Sequence, residues 1–173
     1  MDSDSYNQQQ LDDLFMDMIA YYDGDPKRIQ HFTKVHSYAR LIGIGEGIDE
    51  ASLFILEAAA YTHDIGIRIA EEKYGRCDGK LQEQEGPILA QKMLSQLGFE
   101  NYMVERICFL IGNHHTYDNI DGLDYQILVE ADFLVNLYED DASNRAIDKA
   151  YRKIFKTETG KKIFRLMFGY KED

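Results

Sequence analysis

The spacing of the apolar residues is the feature that most constrains how this chain can fold. Strict alternation of apolar and polar residues, which is typical of strands, is hard to find in the sequence. Instead the apolar residues recur at the period of an amphipathic helix, as in Leu11, Leu14, Phe15, Met18 and Ile19. With 173 residues and short connections between the periodic segments, the pattern predicts an all-α protein that forms one compact helical bundle.

Local signals predict where several helices begin and end. Asp25 followed by Pro26 is typical of an N-cap and a first helical turn. Residues 71–82 mix charged residues with two glycines, so they predict a surface loop, and Pro87 is expected to stand at the start of the next helix. The remaining helices are predicted over 51–64, 86–97, 101–115, 123–138, 142–156 and 159–168.

Composition and charge narrow the classes of partner. The formal net charge is −12, whereas binding to a nucleic-acid backbone depends on clustered Lys and Arg, so a duplex partner is not expected. No segment approaches the roughly 20 uninterrupted apolar residues of a membrane span, and the first ten residues lack the pattern of a signal peptide. Cys77 and Cys108 lack the spacing of a redox or zinc motif. We therefore expect a cytoplasmic protein without a membrane partner; its oligomeric state stays open, with a dimer as one alternative.

Histidine and aspartate residues carry the chemical signal of the sequence. A single helical His is most often structural, so the combination matters more than any one residue. His63 and Asp64 are adjacent at the end of a predicted helix, where both can reach one cation. Asp132 stands in an apolar helical run, where an unpaired carboxylate is costly to bury. His36 lies about 140° around the helix from His31 and is expected to be structural.

These residues stand in three segments, HFTKV at 31–35, LEAAAYTHDIG at 56–66 and LVEADFLVNLY at 128–138. Their order resembles the HD-domain superfamily, which has a helical His, then an apolar helix that ends in His-Asp, then a later helical Asp. The resemblance covers about residues 25–140 and implies one HD-type helical domain over 1–173, with an N-terminal helix and C-terminal helices packed on that core. It also implies a divalent metal ion, with Asp64 able to bridge to a second ion, and the ligands His31, His63, Asp64 and Asp132.

A second metal ion would need further ligands. The predicted helix over 101–115 ends at His114 and His115, so one of these rings is a candidate ligand while the other faces solvent. In two-metal proteins that the chain resembles, a His often precedes a Gly at the start of the middle helix, and here Glu85 holds that place. A carboxylate suits Mn²⁺ or Mg²⁺, but Glu85 could equally complement a helix dipole.

The resemblance further implies a metal-dependent phosphohydrolase. One or two divalent ions (Mn, Fe, Ni, Co or Mg) would lower the pKa of a bound water, with His63 and Asp64 at the catalytic centre and a small phosphorylated, nucleotide-like molecule as the substrate. Arg68, Lys73 and Lys80 are candidates for contacts with the substrate phosphate. Two alternatives stay open: a di-iron oxygenase with the same fold, and a non-catalytic metal-binding regulatory module.

Overall fold

The computed structural model describes residues 7–172, and the fold of this range consists of helices joined by turns and loops. Within this range the chain contains no strand, which confirms the prediction of an all-α protein. In chain order the helices are α1 (Gln8–Tyr21), α2 (Pro26–Gly45), α3 (Glu50–Thr62), α4 (Gly66–Tyr74), α5 (Gly79–Gln96), α6 (Asn101–Ile111), α7 (Leu123–Glu139), α8 (Asn144–Ile154) and α9 (Glu158–Phe168).

The start of α2 follows the predicted pattern. The Asp25 carboxylate accepts a hydrogen bond from the backbone N–H of Arg28 at 3.1 Å, and Pro26 occupies the first turn, where its missing N–H costs nothing. Asp49 caps α3 in the same way, by accepting from the N–H of Ser52 at 2.9 Å. These caps determine where the two helices begin.

The prediction for residues 71–82 is wrong. α4 continues to Tyr74, and α5 begins at Gly79, so the loop between them is short. The N-cap of α5 is Asp78, whose carboxylate accepts from the N–H of Leu81 at 3.3 Å. Pro87 lies inside α5 instead of at its start. A Pro within a helix removes one hydrogen bond, so contacts with other helices must stabilise the uninterrupted α5.

Close packing of α4 against α5 provides that stabilisation. A Cβ atom on Gly66 would lie 2.7 Å from the carbonyl oxygen of Gln82 and 2.8 Å from the backbone nitrogen of Gly86. Only a residue without a side chain allows two helix backbones to approach so closely. The packing therefore joins the beginning of α4 to the middle of α5.

α3 lies at the centre of the bundle. It contacts α1, α2, α6 and α7, and every residue from Phe54 to Thr62 is buried. α5 packs between α4 and α6, while α8 and α9 pack on α7. Because α3 is enclosed, its C-terminal end delivers the next residues, His63 and Asp64, to the interior of the bundle.

The end of α6 also differs from the prediction. α6 ends at Ile111, so the residues up to 115 form turns after the helix. Among residues 7–172, no helix combines the length and hydrophobicity needed to cross a bilayer.

Candidate metal centre

The turn between α3 and α4 presents His63 and Asp64 to the same point. His63 is the C-cap of α3 and is fully buried. The hydroxyl of Tyr22 donates a hydrogen bond to the carbonyl oxygen of Asp64 at 2.6 Å, which holds the turn from the α1 side. Since α4 begins two residues later at Gly66, against the backbone of α5, the turn is fixed on both sides.

Three elements bring the four sequence-predicted side chains together. His31 Nε2, from α2, lies 3.3 Å from His63 Nε2 and 3.3 Å from Asp64 Oδ2. Asp132 Oδ1, from α7, lies 3.2 Å from His31 Nε2 and 3.5 Å from His63 Nε2. His63 Nε2 lies 3.4 Å from Asp64 Oδ2. The side chains therefore meet although they stand up to about 100 positions apart in the sequence.

The hydrogen bonds of the two rings determine which nitrogen faces the centre. His63 Nδ1 lies 2.8 Å from the carbonyl oxygen of Ala60, which can only accept. His31 Nδ1 lies 2.9 Å from the carboxylate of Glu139, which is likewise an acceptor when ionised. Each Nδ1 therefore carries a proton, so each Nε2 of a neutral ring presents a lone pair. Two lone pairs 3.3 Å apart repel each other unless a proton or a metal ion lies between them.

The spacing of these atoms suits a single divalent ion. Ligand atoms about 2.0 to 2.3 Å from one ion lie roughly 2.8 to 3.8 Å from their nearest neighbours in octahedral or tetrahedral geometry. The His and Asp separations of 3.2 to 3.5 Å are close to that range. The ligand atoms of His31, His63 and Asp64 all lie within 4.8 Å of one another, and Asp132 extends this group through both histidines.

A second group of candidate ligands adjoins the first and shares Asp64. His114 Nε2 lies 3.5 Å from Asp64 Oδ1, whereas its Nδ1 lies 2.7 Å from the carbonyl oxygen of Ile111. The fully buried His114 Nε2 has no hydrogen-bond partner among the described residues. His115 completes this group within 4.8 Å, although its Nε2 lies 2.9 Å from Gln82 Oε1. An unpartnered buried nitrogen aimed at a carboxylate is consistent with a ligand position.

Comparison with known families agrees with this geometry. The family model for the HD domain matches residues 28–151. The chain belongs to the HD domain family. A similar solved structure is that of a predicted HD superfamily hydrolase from an uncultured Thermotogales bacterium, with 28% sequence identity and a TM-score of 0.63 over 94% of this chain and 84% of that one. No curated protein matches the chain significantly.

The histidines and carboxylates in the cluster of this HD domain shift each other's pKa values. Burial opposes protonation of His31, but the carboxylates of Asp132, Asp64 and Glu139 raise its pKa to about 9. Burial also opposes ionisation of Asp132, yet its hydrogen bonds to His31 and His63 hold the pKa of Asp132 well below its ordinary value. The pKa of Asp64 is lowered despite burial, chiefly by the nearby His63. A site that retains protons in this way favours a cation at its centre.

His115 differs from the other rings of the HD domain site. Its pKa is lowered to about 4, because burial and the neighbouring His114 both disfavour the imidazolium form. A Cβ atom on Gly79 would meet the His115 ring at 2.8 Å, so the start of α5 packs directly against this side chain. His115 therefore stays neutral at physiological pH, the form that a metal ligand requires.

Four of the candidate ligands, His31, Asp64, His115 and Asp132, line an open cleft of about 280 Å³, while His63 and His114 lie buried behind them. Two cationic side chains from the first turn of α2, Lys27 and Arg28, lie along its edge. The other lining residues around the ligands are Asp25, Ile67, Gln82, Asn136, Glu139 and Asp140. The HD site is thus accessible to a small molecule, and its walls carry both signs of charge.

Four further residues predicted from the sequence are not brought to this cleft. Glu85 accepts hydrogen bonds from Lys73 Nζ at 2.6 Å and from the Tyr74 hydroxyl at 2.8 Å. Arg68 pairs with Glu72 at 3.3 Å and lines a neighbouring cavity. Lys80 is exposed on α5 and is not among the residues that line the cleft. The structure places Glu85 in an ion pair between α4 and α5, and the three cations outside the cleft.

Sequence reasoning missed several residues that support the ligands. Asn136 Nδ2 donates to Asp132 Oδ1 at 2.9 Å, and Glu139 contacts His31. These residues follow Asp132 by four and seven positions, the spacing that keeps side chains on one helical face, so the pattern contained a signal for both. Tyr22 and Gln82 had no such signal, because their places depend on how α1 and α5 pack.

Proposed function

We propose that this HD domain protein is a metal-dependent phosphohydrolase that acts on a small phosphorylated, nucleotide-like substrate with a metal-activated water. The observation that carries the proposal is the meeting of two Nε2 lone pairs, from His31 and His63, with the carboxylates of Asp64 and Asp132. All of these residues except the buried His63 line an open cleft. The similarity to a predicted HD superfamily hydrolase supports the hydrolase class.

The proposed roles follow from the placement of the side chains. His31, His63, Asp64 and Asp132 would hold one divalent ion. Asp64 presents Oδ2 to His31 and His63 and Oδ1 to His114, so it can serve two ions. When bound, the metal supplies a water of lowered pKa and an electrophile for the phosphoryl oxygens. Because His114 and His115 adjoin Asp64, they are the proposed ligands of a second ion.

The charge of the cleft supports a metal-dependent mode of substrate binding. Asp25, Glu139 and Asp140 line the cleft together with the carboxylates of the metal site. An anionic substrate would be repelled by this surface unless bound cations reversed the local potential. Lys27, which is exposed at the edge of the cleft, is placed to contact a phosphate oxygen. The volume of about 280 Å³ suits a small substrate or the phosphorylated end of a larger one.

The experiment that tests the proposal is a phosphate-release screen with defined metals. Protein freed of metal by chelation is reloaded separately with Mn²⁺, Fe²⁺, Ni²⁺, Co²⁺ or Mg²⁺ and assayed against nucleotides and sugar phosphates. We expect at least one metal to restore release of phosphate or pyrophosphate, and His63→Ala to abolish it. His36→Gln provides the matched control, because His36 stacks on Tyr61 and bonds to Glu57 away from the ligand cluster.

Two outcomes would contradict the proposal. One is the absence of release from every substrate with every metal, which would favour a regulatory module. The other is oxygen consumption by the iron-loaded protein without phosphate release, which would favour the di-iron oxygenase alternative.

A further inference from the structure

The histidines that face the candidate metal centre are anchored in two different ways. His63 and His114 each bond through Nδ1 to the carbonyl oxygen three residues earlier in the chain, at 2.8 and 2.7 Å. His31 instead bonds through Nδ1 to Oε2 of Glu139, which lies 108 positions away at the end of α7, at 2.9 Å. A carbonyl carries a partial charge, whereas a carboxylate carries a full one. The His31 ring is therefore the one, of these three, that is held by an anion.

The Glu139 carboxylate is itself fixed in place. Its Oε1 lies 2.7 Å from Lys34 Nζ, which also stands over the ring of Tyr138 at 5.8 Å from the centroid. The side chain of Glu139 is 14% exposed, so bulk water has limited access to it. One oxygen thus faces Lys34 and the other faces His31. Rotation of the carboxylate away from His31 would break both contacts.

The position of Glu139 on α7 ties this anchor to the opposite ligand. Glu139 follows Asp132 by seven residues, which places the two carboxylates on the same face, two turns apart. Asp132 contacts His31 Nε2 at 3.2 Å while Glu139 contacts His31 Nδ1 at 2.9 Å. Carboxylates of one helix, α7, therefore contact both nitrogens of the His31 ring. The position of α7 along α2 thus sets the orientation of this ring.

We propose that Glu139 is a positioning residue that strengthens His31 as a metal ligand. The carboxylate fixes the tautomer that bears the proton on Nδ1, orients the ring, and increases the electron density at Nε2. Lys34 does not contact His31 itself but supports it indirectly, because its ion pair holds the Glu139 carboxylate in place. The inference rests on the proposed function only in requiring a metal ion at His31, and it does not depend on which molecule is hydrolysed.

Metal affinity provides the first test. Mn²⁺ is titrated calorimetrically into the metal-free full-length protein and into the variants Glu139→Ala and Glu139→Gln. Loss of an outer hydrogen-bond partner of a ligating His weakens metal binding by about 10- to 100-fold, which is the result expected for Glu139→Ala. Glu139→Gln should weaken binding less, since its amide oxygen can still accept from Nδ1–H. Lys34→Met, which leaves Glu139 in place, should have the smallest effect of the three.

Asp141→Asn is the matched control for charge. It removes one negative charge two residues from Glu139, at an exposed position whose φ of 48° Asn tolerates well. We expect this variant to bind Mn²⁺ within about twofold of the parent, because screening by water weakens the influence of an exposed charge that makes no contact with the ligand. Equal losses in Asp141→Asn and Glu139→Gln would mean that only net charge matters, and would overturn the proposal.

The second readout is the tautomer of His31 in the Zn²⁺-loaded protein. In the ¹⁵N-labelled parent we expect a downfield-shifted Nδ1–H resonance from His31, because a carboxylate acceptor gives a strong hydrogen bond. Glu139→Ala should shift this resonance upfield or lose it to exchange, while the corresponding resonance of His63 stays in place. Unchanged His31 signals, or Mn²⁺ affinity within about twofold of the parent in Glu139→Ala, would overturn the proposal.

These results separate the inference from the proposed function. If Glu139→Ala binds metal more weakly while no phosphate ester is hydrolysed, the positioning role stands and the phosphohydrolase assignment fails. If the parent binds neither Mn²⁺ nor Zn²⁺, both fail. Should Glu139→Ala not fold, the other two variants still test the role. Glu139→Gln should then bind Mn²⁺ more weakly than Lys34→Met, and Lys34→Met more weakly than the parent. Unchanged Mn²⁺ affinity in both variants would contradict the positioning role.

Discussion

Glu130 and Asp132 are two buried carboxylates on the same helix, and they have opposite surroundings. Glu130 is 0% exposed and Asp132 is 3% exposed, so burial does not distinguish them. What differs is the set of groups that face each carboxylate. The comparison separates a carboxylate that stabilises the fold from one that is available to a ligand.

Both oxygens of the Glu130 carboxylate accept hydrogen bonds from neutral donors. Its Oε1 accepts from the backbone N–H groups of Lys156 and Thr157 at 2.7 and 2.9 Å and from Gln126 Nε2 at 2.7 Å. Its Oε2 accepts from the Thr157 hydroxyl at 2.6 Å. Burial raises the pKa of Glu130 despite these bonds. The carboxylate thereby joins α7 to the segment that precedes α9, and its hydrogen-bonding capacity is used within the protein.

Asp132 faces a different set of atoms. The neutral donor that approaches it is Asn136 Nδ2, at 2.9 Å, while its other contacts are with the Nε2 atoms of His31 and His63. Those nitrogens carry lone pairs in the neutral rings, so the arrangement is complete only when a proton or a metal ion is present. The hydrogen-bond donors around each carboxylate, and not its burial, therefore distinguish the structural Glu130 from Asp132, the proposed metal ligand.

The largest expected effect is the loss of turnover in Asp132→Asn. Removal of one charged ligand should weaken metal binding and lower turnover by roughly 10³-fold, since a metal contributes several kcal/mol to the stabilisation of a transition state. Phosphate release at saturating Mn²⁺ measures the loss. The helical circular-dichroism spectrum should stay like that of the parent. Turnover within about tenfold of the parent would remove Asp132 from the ligand set and break the comparison.

Glu130→Ala should have the complementary phenotype. It leaves several buried donors without an acceptor, so the free energy of unfolding should fall by about 2 to 4 kcal/mol. Chemical denaturation measures this change, and Mn²⁺ affinity of the folded variant should stay within about twofold of the parent. Glu130→Ala with intact stability but weakened metal binding would show that the two carboxylates do not have separate roles.

Gly160→Ala tests the Glu130 environment without altering the carboxylate. A Cβ atom on Gly160 would overlap Glu130 Oε2 and would also lie 2.6 Å from the Thr157 hydroxyl oxygen. Overpacking of this kind costs about 1 to 3 kcal/mol, measured by the same denaturation experiment. No loss of stability would mean that the segment around α9 can move away from α7.

The pH dependence of metal binding sharpens the account of the metal centre. The pKa of His31 is raised from 6.5 to about 9, so protonation of His31 stabilises the metal-free fold fully below pH 6.5, and this contribution is lost as pH rises to about 9. Metal binding requires the deprotonated Nε2. Over the same window the metal affinity should therefore rise, by up to about tenfold per pH unit.

Melting temperatures with and without Mn²⁺ across pH 6.5 to 9 measure this effect. The difference between the two temperatures should widen with pH. A constant difference would mean that no proton is displaced from His31 when the metal binds.

The smallest expected effect concerns the cations around the cleft. Lys27 lines the cleft, whereas Lys80 does not. Lys27→Ala should raise KM by about two- to fivefold with little change in kcat, since exposed ion pairs contribute about 0.2 to 1 kcal/mol. Lys80→Ala should leave both constants unchanged. The same KM change in both variants would mean that Lys27 acts only through net charge.

The helical fold was accessible from the sequence because its signals are local, and the four central ligand candidates were accessible because the order of their segments resembles the HD-domain superfamily. The periodic apolar residues, the Asp25 cap and the order of His31, His63-Asp64 and Asp132 need no knowledge of packing. The metal-ligand roles themselves stay a prediction that the structure makes geometrically consistent. From the residues alone, the sequence indicated that a carboxylate such as Asp132, in an apolar helical segment, is costly to bury unless it binds a partner.

The rest depended on contacts between distant segments. Glu85 could not be placed correctly while residues 71–82 were predicted to be a loop, because its partners Lys73 and Tyr74 belong to α4. The role of Glu130 required knowing that Lys156 and Thr157 return to α7. Lys27 and Gln82 reach the cleft only through the packing of α2 and α5. The helical periodicity of the sequence does not predict contacts between segments that are distant along the chain.

Anomalous diffraction from crystals soaked in Mn²⁺ tests the central claim most directly. We predict an anomalous peak within about 2.3 Å of His31 Nε2, His63 Nε2 and a carboxylate oxygen of both Asp64 and Asp132. The peak should vanish in crystals of His63→Ala. A peak at a different place, or none at saturating Mn²⁺, would contradict the proposal that these four side chains bind one ion.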